Sequence, residues 1–238
     1  MADINDFFKE IAVPEFLIAY LGSNEWFKVV GKLKEIIKNS GVKFVQHSSG
    51  RNLICNGQVY VGKDCVIGDN VVIDGPSYID DGVELATGCY VRAGSVISNE
   101  CSVGHAAEIK NSIMMEKSKV SNHAFLGDSI LGKSGRLAGH SETGNRRFDQ
   151  GIVELSYKDG RISTGLDKFG AIIGQGSRLG GGVTVLPGTA IGMNSFISTG
   201  VVIGGYIAPN QFVSLDLNYK IRDNKFIGEL HSKSKIYE

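Results

Sequence analysis

His105, His123 and His140 stand eighteen and seventeen residues apart, and Arg92 and Lys110 stand eighteen apart. If the chain closes one coil every eighteen residues, side chains at that spacing share a wall on successive coils. Neutral imidazoles gathered in this way could serve as zinc ligands. The histidine column is imperfect, because His105 lies two places after an aliphatic residue (Val103) whereas His123 and His140 lie three places after theirs (Val120, Leu137). The four cysteines point elsewhere. Cys65, Cys89 and Cys101 occupy a recurrent small position, Cys55 falls in line with the aliphatic residues, and none has the paired spacing of a disulfide or zinc motif. They read as buried small hydrophobes.

The element that sets these spacings is a repeat. An aliphatic residue recurs at every sixth position at Val61, Ile67, Ile73, Ile79, Leu85, Val91, Ile97, Val103 and Ile109, and again at Ile173, Leu179, Val185, Ile191, Ile197 and Ile203. Four places after each comes a small or β-branched residue, as in Cys65, Val71, Ser77 and Val83. Neither a helix nor an isolated strand produces period six. The hexapeptide repeat of a parallel β-helix does: each hexad is a short strand and a turn, three hexads close a triangular coil, and coils about 4.8 Å apart share backbone hydrogen bonds. The 32 glycines suit a chain that turns every six residues, and four prolines are too few for a disordered one. With 25 basic and 25 acidic residues the chain offers no global attraction to nucleic acid or an anionic membrane. It shows no leader and no apolar run of about 18 residues, so a soluble, cytoplasmic protein is expected.

Interruptions of the repeat define the other parts. Residues 1–50 lack it and are expected to form a helical cap, with Phe27, Val30, Leu33, Ile36 and Ile37 on one stripe of a helix over 24–39, capped near Ser23 or Asn24, that packs on the solenoid's end or on a neighbouring subunit. The β-helix is expected over 51–208. Within it the aliphatic column steps by five at Ile109 to Met114 and at Leu126 to Leu131, and it vanishes over an excursion at 140–171 that contains a hairpin turning on Asp159-Gly160. Long excursions from a solenoid are usually functional. Residues 209–238 read as a tail.

Several segments carry a resemblance: VRAG at 91–94, GHAAEIK at 104–110, SK at 118–119, FLGDS at 125–129, NRRFD at 145–149 and DKFGAIIG at 167–174. In this order and spacing they resemble the C-terminal β-helix of sugar-1-phosphate nucleotidylyltransferases, including the bifunctional glucosamine-1-phosphate acetyltransferase/N-acetylglucosamine-1-phosphate uridylyltransferase. The resemblance implies a left-handed β-helix, a homotrimer, and a site in the groove between subunits where acetyl-CoA meets a sugar phosphate. It maps a phosphate-binding arginine onto Arg92, substrate lysines onto Lys110 and Lys168, and further substrate contacts onto Phe125 and Arg136. The acyl-CoA side maps onto Gly139, Asn145, Gly181 and Thr199. No metal cofactor is implied. Residues 1–50 show no glycine-rich nucleotide loop, so nucleotidyl transfer is not expected of this chain, although a separate nucleotidylyltransferase is a possible partner.

The carry-over breaks at the general base. The histidine of the family pattern falls on Asn122, with His123 one place late, and Phe125 stands where the pattern has tyrosine. An amide cannot take a proton, and removing a general base typically costs about 10²- to 10⁴-fold. His123 would replace it only if the turn shifted by one residue. Two main readings follow: a CoA-dependent acyltransferase acting on a sugar phosphate or similar small anion, and a sugar-phosphate-binding or scaffolding trimer that has lost turnover. A third is a zinc site on the histidine column for metal-dependent hydration, which the β-helix would share by resemblance with the γ-class carbonic anhydrases.

Overall fold

In the computed structural model, residues 1–42 and 52–223 are described; the expected boundary at 50–51 and the last part of the tail lie outside them. The period-six columns become a left-handed parallel β-helix with three eight-stranded faces. The first face runs from Ile54–Asn56 to Val202–Ile203, the second from Val59–Val61 to Tyr206–Ile207, and the third from Val66–Ile67 to Phe212–Val213. Successive coils are in register, so Ile73 lies over Val91, Val91 over Ile109 and Ile109 over Leu126. These side chains and their counterparts on the other faces fill the prism, with Cys89, Cys101 and Ala107 in the corners. Burial pushes the Cys89 and Cys101 thiols up to about 12 and about 11, so both behave as packing groups. Cys55 and Cys65 are only partly buried.

At the corner between the third and first faces, each turn passes through one residue with positive φ. Gly88, Gly182 and Gly200 fill that place in some coils, and Ala106, His123 and His140 fill it in others. A β-carbon costs energy in this conformation, so the turn is imposed by the stacked coils around it.

The N-terminal segment does not sit over the end of the solenoid as expected. It lies along the outer surface of the second face, where Tyr78, Val96, Ile113, Ile130, Ile172 and Ala190 form a second core with Phe7, Phe8, Leu17, Trp26, Phe27, Leu33 and Ile37. The outward residues of that face are apolar, and covering them explains its placement. Backbone bonds from Glu116 to Ala12 O (3.1 Å), Gln175 to Phe7 O (2.8 Å) and Met193 to Asp6 O (2.9 Å) anchor the segment to stacked turns. The expected helix over 24–39 is a 3₁₀ stretch at Trp26–Lys32 followed by α2 at Leu33–Asn39, and neither is capped by Ser23 or Asn24. A further helix, α1 at Glu15–Leu21, precedes them.

Three other boundaries move. Glu142–Thr143 still pairs with the first face, and Ala171–Ile173 rejoins the second, so the excursion spans only 144–170. Its hairpin pairs Tyr157 with Gly160 and therefore turns on Lys158-Asp159. Phe212–Val213 adds a last strand to the third face beyond position 208. No described helix is long and apolar enough to cross a membrane.

Under the N-terminal segment, Tyr157 and Tyr206 donate to Asp6 Oδ2 at 2.6 and 3.2 Å. Burial first, and then the Asp6 charge, pushes Tyr206 up to about 12, and burial raises Tyr157 as well. A raised pKa means that the folded state holds the proton more tightly. The stability it contributes is fully present below the ordinary phenol value of about 10 and is lost as pH rises through about 12. Thermal unfolding followed between about pH 9 and about pH 12 should show a steep alkaline loss that Tyr206→Phe blunts; an equal loss in that variant would rule these phenols out as its origin.

Candidate active site

The two five-residue steps in the repeat fall at the same corner, where the first face turns into the second. There Asn111 (φ 46°) and Asp128 (φ 48°) each take the turn in the left-handed region, which Asn and Asp tolerate better than most residues. The excursion leaves the solenoid at this corner one coil further on, since Thr143 precedes it and Gly170 N donates to Asp128 O at 2.9 Å. Shortened turns and the excursion together open a cleft of about 480 Å³.

Asp128 is the hub of the cleft. Its carboxylate is buried and accepts from Lys110 Nζ, from Asn111 Nδ2 at 2.9 Å and from Asn145 Nδ2 at 2.5 Å. Asn111 Nδ2 also donates to Val30 O at 3.1 Å, which ties the N-terminal segment to the same corner. One coil away, Arg92 lies in register with Lys110 and donates from Nη1 to Glu108 Oε1 at 2.8 Å. That bond raises the already high Arg92 pKa. On the same wall Tyr90 donates its hydroxyl to Asp74, and this bond, helped by one from Asn56, holds the Asp74 carboxyl below its usual range. Lys168 from the excursion and Lys34 from α2 complete the lining. Phe125 extends along the first face so closely that a β-carbon on Gly127 would come within 2.5 Å of its ring, and the same β-carbon would lie 3.0 Å from Asn145 Nδ2. The ring thus lies beside Gly127 and Asn145, next to the cleft but outside its lining.

Arg92, Lys110, Lys168, Asn145 and Phe125 therefore gather at one edge of the first face. The other named residues stand at its opposite edge or beyond. Asn122, Gly139, Gly181 and Thr199 occupy equivalent places in stacked turns of the third-to-first corner, as the registers Val120↔Leu137, Leu137↔Leu179 and Leu179↔Ile197 require. Gly182 N donates to Gly139 O at 3.0 Å and Gly200 N to Gly181 O at 2.9 Å. Within one chain about 15 Å of strand separates the two edges. Arg136 is on the third face, between Lys119 and Arg178, and joins neither group.

The turn at Asn122 has the same length as its neighbours, so His123 does not shift into the place of Asn122. Asn122 Oδ1 accepts from His105 N at 3.0 Å. The three imidazoles form a ladder beside it: His105 meets His123 edge-on with ring centroids 5.2 Å apart, and His123 stacks on His140 at 5.1 Å. The rings follow one another along the wall, one pair edge-on and the other stacked, instead of converging on a point, and among the described residues no three of His, Cys, Asp and Glu are placed to hold a metal ion.

Four polar or charged residues of the cleft are not singled out by the sequence: Asp74, Tyr90, Asn111 and Lys34. Asp128 lay within the FLGDS segment without a role. The five-residue steps were the available signal for Asn111 and Asp128. Nothing local marks Lys34, because only the docking of α2 brings it to the corner.

A hexad-built prism with a charged cleft along one edge and stacked turns along the other defines a hexapeptide-repeat β-helix protein. Residues 73–145 match the family model described as "GMPPB C-terminal domain", and residues 170–204 match "Hexapeptide repeat of succinyl-transferase". The chain accordingly resembles the C-terminal β-helix of sugar-1-phosphate nucleotidylyltransferases. It is 31% identical to the "Bifunctional protein GlmU" of Methanococcus aeolicus over 76% of this chain and 51% of that protein. It is 33% identical to the "Uncharacterized acetyltransferase YaiX" of Escherichia coli O6:K15:H31 over 62% of this chain and 64% of the other. With the "Bifunctional sugar-1-phosphate nucleotidylyltransferase/acetyltransferase" of Sulfurisphaera tokodaii it shares 33% identity over 60% of this chain and 40% of that one. The chain thus spans between two fifths and two thirds of the length of these relatives.

Proposed function

We propose that the protein is a CoA-dependent acetyltransferase acting on a sugar phosphate. The observation that carries this reading is the cleft at the first-to-second corner, where Lys110, Arg92 and Lys168 line one site with Asn145 joined to it through Asp128. The sugar phosphate would lie at that edge. The thioester would lie along the first face toward Asn122, Gly139, Gly181 and Thr199, where backbone amides orient it, and acetyl transfer would rest largely on positioning. An amine acceptor is already partly neutral near pH 7, and His123, next to Asn122 in the sequence, carries an imidazole that can accept its proton. Exposed Phe148, Ile152, Leu186 and Val202 support burial of this side against a neighbouring subunit, which would close the groove in a homotrimer.

Thiol release from acetyl-CoA in the presence of glucosamine-1-phosphate is the test. Slow release is expected, reduced about 10²-fold in His123→Ala with acetyl-CoA binding retained. A second reading rests on Asn122, whose amide cannot act as a base and is engaged by His105: a trimer that binds sugar phosphate without turnover, assembling with a nucleotidylyltransferase. Sugar-phosphate binding with no thiol release would select it.

A further inference from the structure

The cations that line the cleft differ in what they already hold. Lys110 is in contact with the buried Asp128 carboxylate, their side chains being 17% and 5% exposed, and Arg92 is paired with Glu108 at 2.8 Å. Each pair is close to neutral as seen from the cleft, and the field of a contact pair falls off much faster than that of a single charge. Lys34 and Lys168 line the same cleft and, among the described residues, make no hydrogen bond or ion pair. Both come from outside the solenoid, Lys34 from α2 and Lys168 from the excursion.

Their supports are packed together. A β-carbon on Gly31 would lie 2.6 Å from Leu166 Cδ2, and the Phe27 and Phe169 rings meet edge-on with centroids 6.4 Å apart. On the solenoid side, a β-carbon on Gly94 would lie 3.1 Å from Lys34 Cγ, and Asn111 holds Val30 O. The stem of Lys34 is therefore laid against the corner turn while its ammonium stays exposed to the cleft.

We infer that Lys34 is an anion-binding residue of this cleft, that with Lys168 it supplies the unpaired positive charge for a phosphomonoester, and that Arg92 and Lys110 act chiefly as ion-paired wall residues. This deepens the proposed sugar-phosphate site and rests on it. Two unpaired ammonium groups outweigh the Asp74 carboxylate in the same lining and attract a phosphomonoester, which lysine serves as a point charge. The consequence is that the segment covering the second face also completes the binding site.

The test is calorimetric titration of glucosamine-1-phosphate and, separately, inorganic phosphate into the full chain. Lys34→Ala is expected to weaken both by about tenfold, as for the loss of one hydrogen bond to a charged group. Lys34→Arg should retain most of the affinity, and Lys34→Ala with Lys168→Ala should abolish measurable binding. Because Lys34 is exposed and unpartnered, its thermal unfolding midpoint should match that of wild type, which separates loss of charge from loss of fold. Wild-type affinity in Lys34→Ala would overturn this inference and leave the sugar-phosphate reading intact. Failure of the wild-type chain to bind either anion would overturn both.

Discussion

Replacing Asp128 by alanine is expected to destabilise the fold by about 3–5 kcal/mol, the usual cost of removing one partner from a buried ion pair. Three donors converge on this carboxylate: Lys110 Nζ, Asn111 Nδ2 and Asn145 Nδ2. Its removal leaves an ammonium at a largely buried position without a counter-charge, strands the Asn145 amide and leaves Asn111 only its bond to Val30 O. Alanine also fits the left-handed turn at φ 48° less well than aspartate. For a chain of this size each kcal/mol moves the unfolding midpoint by about 2–4 °C, so scanning calorimetry should find a drop of roughly 10 °C. Asp128→Asn keeps an acceptor and the turn preference and should fall in between. A change below about 1 kcal/mol in Asp128→Ala would mean that Lys110 reaches solvent and that the hub is not what holds this corner. The sign of the effect on ligand is the opposite. Below its midpoint, the variant has Lys110 unpaired in the cleft, so phosphate should bind more tightly than to wild type.

That opposition shows what kind of information the sequence carried. The columns of aliphatic residues fix strand length, coil size and register together, because each inward side chain must meet its equivalent eighteen residues on. Any residue's corner or face can then be counted off, as for Arg92 over Lys110 and for the column of Asn122, Gly139, Gly181 and Thr199. Counting fails where a column changes chemistry. Thr143 takes an inward place without an aliphatic side chain and satisfies its hydroxyl by accepting from Gly127 N at 2.8 Å, so the column alone starts the excursion too early. Ile207 and Val213 resume the column after a four-residue step at Gly204-Gly205, so the last strand of the third face read as tail.

The N-terminal segment was legible as helical and amphipathic, but its partner was not. An apolar stripe states that something must be covered without saying which surface. The answer lay in the outward positions of the second face, where Tyr78, Val96, Ile113, Ile130 and Ile172 follow one another at hexad places that on the other faces carry residues such as Glu84, Glu108 and Lys119. The charge state of the cleft was hidden for a related reason. Spacing placed Arg92 and Lys110 on one wall, but their neutralisation by Glu108 and Asp128 depends on side chains of the next coil reaching back to them.

Trp26→Ala tests how far this covering segment is a unit of its own. Trp26 is 2% exposed, and its ring lies 5.6 Å from Phe7, 5.6 Å from Phe8 and 5.9 Å from Phe27, centroid to centroid. Its indole N–H donates to Ala2 O at 3.1 Å, which closes the segment on itself. Truncating such a side chain costs about 3–5 kcal/mol. The loss should be local, because the aromatic core outside the second face and the aliphatic core inside the prism are separate clusters. Stacked coils hold one another through backbone ladders that do not pass through Trp26. Hydrogen exchange should therefore show amides of residues 1–42 losing protection while strands such as Glu108–Lys110 and Phe125–Gly127 keep theirs. Equal loss in both regions would show that the face cannot stand uncovered and that the two cores fold as one. In the local case the variant should also lose about tenfold in phosphate affinity, as Lys34→Ala does, since α2 carries Lys34 away from the cleft when the segment lifts.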